Sequence, residues 1–181
     1  MTKHYEALLR AYTFLENTTP LRYDCGTLCG AYCCQNNAEE GETMGMWLLP
    51  FEKELLTALD EDIERKHYTF DEAKDGTKTV YCNGSCLRAF RPFACRIYPF
   101  YAHIGKKQDG RIKISIKRDP RAKLSCPIAM TTSYLRPTVE FLTAVKAAVR
   151  ELMKDEIIAK DIIEMSEFLS EIEEMQNKLL G

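Results

Sequence analysis

The residues best able to do chemistry here are eight cysteines: Cys25, Cys29, Cys33, Cys34, Cys82, Cys86, Cys95 and Cys126. The first group is Cys25-x3-Cys29-x3-Cys33-Cys34, the second is Cys82-x3-Cys86-x8-Cys95, and Cys126 stands alone. Thiolates act as metal ligands, nucleophiles and redox centres. A tetrahedral zinc site draws its sulfurs to about 2.3 Å from the ion, so its ligands must converge within a few ångströms. Pairs separated by three residues can converge from one helical turn or one loop. Two such pairs, each with further cysteines close behind, point to convergence on a metal. The spacing differs from the bacterial ferredoxin run, with its two-residue gaps, and from the C-x2-C zinc knuckle. Cys126-Pro127 shares the Cys-Pro step that ends the ferredoxin run. Adjacent Cys33 and Cys34 point in different directions in most backbones. They are expected to differ in role: one a ligand, the other a core filler or a ligand to a second site. Eight thiolates could fill two four-cysteine sites, or one site with spares.

Disulfides are the competing use of cysteine. They suit small secreted chains that lack a core, whereas 181 residues can bury one. The start, Met1-Thr2-Lys3-His4-Tyr5-Glu6, followed by apolar residues broken by Arg10 and Glu16, does not read as a signal peptide. No run of about 18 apolar residues suggests a membrane span. A cytoplasmic location is therefore expected, where thiols stay reduced, and metal ligation is expected ahead of disulfides or unligated redox thiols. Eight cysteines exceed what one structural zinc needs. That favours an iron–sulfur cluster, with zinc as the alternative.

Ligating thiolates bring negative charge, because each must be deprotonated. Between Cys86 and Lys123 lie eleven Lys or Arg residues against only Asp109 and Asp119, and Arg88, Arg91 and Arg96 interleave with the second cysteine group. Residues 38–75 carry twelve Asp or Glu against four Lys or Arg. Charge balance accounts for the basic stretch better than a nucleic-acid face does, since no nucleic-acid-binding motif accompanies it. Nucleic acid and membrane are not expected partners; an unidentified protein or redox partner is. His4, His67 and His103 have no His or Cys at ligand spacing and read as surface or core, with His103 the reserve ligand. No H-x-x-x-H, P-loop or nucleophile elbow is present.

The elements that must position these cysteines follow from periodicity. Tyr5, Leu8, Leu9, Tyr12 and Leu15 predict an amphipathic helix over residues 3–17, ended by Asn17-Thr18-Thr19-Pro20. Gly26 and Gly30 argue for a tight loop rather than a regular helix through the first cysteine group. Residues 38–46 read as a loop. A helix then starts at Pro50, with Phe51, Leu55, Leu56 and Leu59 as its buried face and Glu52 and Glu54 at its N-terminal end. Two hairpins are predicted: residues 68–81 around Asp75-Gly76, and residues 97–104 with 111–118 around Asp109-Gly110. In the second, Ile112, Ile114 and Ile116 alternate with Arg111, Lys113 and Lys117, the pattern of a half-buried strand. From Thr138 to Leu180 the chain reads as helical. Val139, Leu142, Val145, Val149 and Leu152 line one face; Ile158, Ile162, Met165, Leu169, Ile172 and Leu179 follow, interrupted by Gln176. A helical hairpin packed on the body is favoured over a homodimer seam.

The predicted class is α+β, mainly helical, with two small β-hairpins around a cysteine-rich metal site and a C-terminal helical hairpin. Residues 1–135 form a cysteine-cluster domain with an N-terminal helix, and residues 136–181 a helical segment packed on it.

One block carries a resemblance. Arg91-Pro92-Phe93-Ala94-Cys95-Arg96-Ile97-Tyr98-Pro99-Phe100 is similar to the RP-x2-CR-x-YPF signature of the YkgJ-like cysteine-cluster family of zinc- or iron-chelating domains. The upstream Cys25-Gly26-x2-Cys29-Gly30-x2-Cys33-Cys34 resembles that family's opening cysteine group, and Cys82 and Cys86 fall where it places further cysteines. The resemblance spans roughly residues 25–126. It implies a chelating module with all eight cysteines as candidate ligands and with Arg91, Arg96 and Tyr98 beside the cofactor. Larger relatives that carry the module include flagellin lysine methylases. Pro92 and Pro99 would stiffen the backbone around Cys95, and Phe90, Phe93, Tyr98, Phe100 and Tyr101 would wall the site. The expected function is metal binding in a structural or electron-transfer role. The alternatives are a redox or protein-modifying enzyme using the cluster, and a zinc-stabilised interaction module.

Overall fold

In the computed structural model the described residues are 2–23, 25–34, 45–84, 87–131 and 136–180. The fold is α+β. Helix α1 (Lys3–Leu15) turns Leu8, Ala11, Tyr12 and Leu15 inward, the three- and four-residue steps read from its sequence. It packs along α8 (Val139–Leu152), whose Phe141, Val145, Ala148, Val149 and Leu152 are buried. Thr138 caps α8, its Oγ1 accepting from the Phe141 N–H at 3.2 Å.

α9 (Glu156–Leu180) lies against strand β4 rather than forming a simple hairpin with α8. Asp155 caps its first turn, accepting from the Ile157 and Ile158 N–H groups at 3.1 and 3.3 Å and pairing with His4 Nδ1 at 2.6 Å. Burial alone would raise the Asp155 carboxyl. The Ile158 N–H and the His4 contact outweigh it and hold that carboxyl below the ordinary range. His4, expected at the surface or in the core, thus ties α1 to the start of α9 and stacks on Phe51 with ring centres 4.0 Å apart. Gln176, the polar interruption in the α9 stripe, donates to the Pro120 carbonyl at 3.2 Å.

Both hairpins form. β2 (Tyr68–Glu72) pairs antiparallel with β3 (Lys78–Cys82), and β1 (Met46–Trp47) adds to the free edge of β3, giving the order β1-β3-β2. β4 (Phe100–Lys106) pairs with β5 (Ile112–Arg118), with Ile104 opposite Ile114. Gly76 and Gly110 take φ of 85° and 80° at the turns, where a side chain would be strained. Ser166 of α9 accepts from the Ile104 N–H at 2.8 Å, satisfying an outward-facing donor of β4.

Four local expectations need correction. The first cysteine group is not a loop: α2 (Cys25–Cys29) and a 3-10 turn (Tyr32–Cys34) carry it, separated by Gly30 and Ala31 at φ of 63° and 56°. The glycine lets the chain reverse between the two short helices instead of preventing both. The second hairpin begins at Phe100, because residues Phe93–Ile97 form a short helix, α5. Pro50 lies outside α3 (Glu52–Leu59), and Phe51 precedes that helix in a left-handed conformation, φ 68°. The expected loop over 38–46 ends in strand β1; residues 38–44 lie outside the described residues. Two further short helices, α6 (Ala122–Ser125) and α7 (Pro127–Thr131), flank Cys126.

Candidate metal centre

The Arg91–Phe100 block is held by side chains from four directions. The Tyr68 hydroxyl donates to the Phe90 carbonyl at 3.0 Å. Arg96, 4 % exposed, turns back on its own loop: Nε donates to the Arg91 carbonyl at 2.7 Å and Nη2 to the Ala89 carbonyl at 2.8 Å. Its guanidinium lies 4.1 Å from the centre of the Tyr12 ring. Burial lowers its acidity constant from the usual arginine value. At the far end the Tyr98 hydroxyl and Ser125 Oγ are 2.6 Å apart, and Ser125 Oγ is also 3.0 Å from the Arg121 carbonyl. A serine hydroxyl has one proton, so when it goes to that carbonyl, Tyr98 donates to Ser125. The Asp119 N–H donates to the Pro99 carbonyl at 2.9 Å, and the Asp119 carboxylate holds Arg121 at 2.6 Å. The Tyr98–Pro99 peptide is cis.

Beneath this block is a residue that the sequence did not mark for the site. Glu52 is fully buried. Its Oε1 accepts from the Tyr12 hydroxyl at 2.5 Å and the Phe93 N–H at 2.6 Å; its Oε2 accepts from the Leu49 N–H at 2.9 Å. Burial raises the carboxyl above the ordinary range, opposed by those three donors and by Arg96. Burial also raises the Tyr12 phenol, and the neighbouring Glu52 adds to the shift. In the sequence Glu52 reads as a charge suited to a helix start. Its pattern carries no sign of a partner 41 residues away.

The cysteines sit around this frame. Cys126 is buried at the α6–α7 junction, in a small apolar cluster with Tyr98, Ala122 and Ala129. Helix α2, which carries Cys25 and Cys29, packs against α7. The Tyr98 phenol is raised first by burial, and the charges of Cys126 and Cys33 push it the same way, so both thiols lie within electrostatic reach of it. Tyr98 is therefore the point at which the first cysteine group and Cys126 meet. Cys95, half-buried on α5, lies within electrostatic reach of the Tyr12 phenol. Cys82 ends β3 opposite Tyr68 and packs on the edge of the main core. Cys29, Cys33, Cys34, Cys82, Cys95 and Cys126 stand outside any disulfide. Cys86 and the Cys25 side chain lie outside the described residues. Among the described residues, no group of three or more His, Cys, Asp or Glu is already drawn close enough to hold a metal ion.

The interleaved arginines are engaged with protein groups. Arg88 donates to the carbonyls of Leu15, Glu16 and Thr18, closing the C-terminal end of α1. Arg121 also lies over the Trp47 ring at 4.5 Å. His103, the reserve ligand, meets the Tyr101 ring edge-on, and its charged form is disfavoured by burial and then by Lys117.

No family model, curated protein or solved structure matches this chain. The site is therefore read from its own chemistry. That chemistry is a rigid turn carrying Cys95, a buried tyrosine flanked by Cys33 and Cys126, and a short helix bringing Cys25 and Cys29 alongside.

Proposed function

We propose that this chain is a metal-binding protein of the YkgJ-like cysteine-cluster kind. Its clustered cysteines hold an iron–sulfur cluster, or zinc as the alternative, in a structural or electron-transfer role within the reducing cytoplasm. The ligand set is drawn from Cys25, Cys29, Cys33, Cys34, Cys82, Cys86, Cys95 and Cys126. The observation that carries this reading is Tyr98. Cysteines nearly a hundred residues apart, Cys33 and Cys126, approach one buried phenol, and α2 is folded against α7 behind them. Thiolates gathered in an apolar pocket repel one another, and a cation that coordinates them removes that cost. The same argument explains why Arg96 and Arg88 are turned to backbone carbonyls: a metal, not an arginine, would neutralise the sulfurs.

The test is metal and acid-labile sulfide analysis of protein purified without oxygen. A brown protein containing iron and sulfide supports the cluster; a colourless one with stoichiometric zinc supports the alternative. Cys126→Ser and Cys33→Ser should each lower metal content and thermal stability together, because site formation is coupled to folding. Wild-type metal content in both variants, or no bound metal in the wild type, sinks the proposal.

A further inference from the structure

The Glu52 knot does more than fill the core. One carboxylate ties together three segments distant in sequence: α1 through Tyr12, the turn before α3 through Leu49, and the first N–H of α5 through Phe93. Phe93 lies two residues before Cys95, and Arg96 directly after Cys95 is fixed by the Ala89 and Arg91 carbonyls and the Tyr12 ring. Cys95 is thus clamped from both sides by groups that converge on Tyr12. Helix α5 has only five residues and so little stability of its own. A buried carboxylate accepting from its first N–H is a strong, charge-assisted anchor.

We infer that Glu52 is a positioning residue for Cys95, holding that thiolate in the direction required to ligate the metal. This rests on the function proposed above. All three groups around Glu52 are donors, so an amide in its place would present an N–H to a donor and release either Phe93 or Leu49. Groups that orient a metal ligand typically contribute 10–100-fold in metal affinity.

The experiment measures how fast the metal present after anaerobic purification is lost to a chelator, for wild type, Glu52→Gln, Tyr12→Phe and Leu152→Ala. The last removes buried core volume from α8, at a residue outside the knot. Glu52→Gln should lose metal about tenfold or more faster than wild type, with an unchanged far-ultraviolet spectrum. It should also lose metal faster than Leu152→Ala compared at equal loss of stability. Tyr12→Phe, which removes one of the three donors, should show a smaller acceleration in the same direction. A folded Glu52→Gln that releases metal at the wild-type rate, or only as fast as its lost stability accounts for, overturns the inference. Should Glu52→Gln fail to fold, Tyr12→Phe decides: faster release supports the inference and wild-type release overturns it. A wild type without metal instead removes the function proposed above, and the inference with it.

Discussion

At the residue scale, the side chains that matter most around Cys95 are polar groups placed where water cannot reach. Arg96 illustrates the cost of disturbing them. Its guanidinium serves two carbonyls of the preceding turn, and a buried acceptor that loses its donor is penalised by the full desolvation of that group. Arg96→Met should destabilise the protein by about 2–3 kcal/mol, measured as a shift in the urea midpoint at constant slope. Arg96→Lys should recover only part, since an ammonium cannot reproduce the fork that spans Arg91 and Ala89. A midpoint equal to wild type in the Met variant would show that the two carbonyls do not depend on this residue.

At the element scale, the helices differ in how well their buried charges are met. Asp161 on α9 is partly buried, and its Oδ2 has no hydrogen-bond partner among the described residues. Burial, and then Glu164, push its carboxyl up to about 6. The folded chain thus keeps this proton up to about pH 6, while an unfolded chain releases it near pH 4. Between these values the native state binds more protons, so its stability falls as pH rises through that window. Asp161→Asn should abolish that part of the slope. It should also stabilise the protein at pH 7 by about 1 kcal/mol, a figure reduced for partial exposure. Urea titrations at pH 4 and pH 7 measure both effects, and an unchanged difference between the two pH values would count against this assignment. The opposite case is Thr138, whose cap on α8 is well formed; Thr138→Ala should cost about 1 kcal/mol.

At the scale of the whole molecule, one core joins the two ends of the chain. Leu8, Ala11 and Leu15 of α1 share a continuous buried cluster with Phe141, Val145, Val149 and Leu152 of α8, and with Ile158 and Ile162 of α9. The segment from residue 136 onward supplies half of that interface. A fragment ending at residue 135 should therefore fail to fold cooperatively, and a sharp thermal transition for that fragment would refute this. Leu8→Ala, at a site with no exposure, should cost about 2–5 kcal/mol. No described helix is long and apolar enough to cross a membrane.

Much of this was legible along the chain, and the boundary falls where local pattern stops. The helices α1, α8 and α9 follow from apolar spacing, and the two hairpins from alternation around Asp75-Gly76 and Asp109-Gly110. Each is a one-dimensional signal tied to a repeating backbone geometry. The eight cysteines and the stiff Pro92–Pro99 stretch were visible for the same reason: composition and spacing are properties of the sequence itself. Short elements escaped, because a five-residue helix such as α2 or α5 is stabilised by its neighbours rather than by its own propensity. Only the tertiary structure set Cys33 and Cys126 on one tyrosine, turned the arginines to backbone carbonyls, and buried Glu52 beneath Cys95. Those placements depend on contacts between residues far apart in the chain, and no local periodicity encodes which distant donor a buried carboxylate will find.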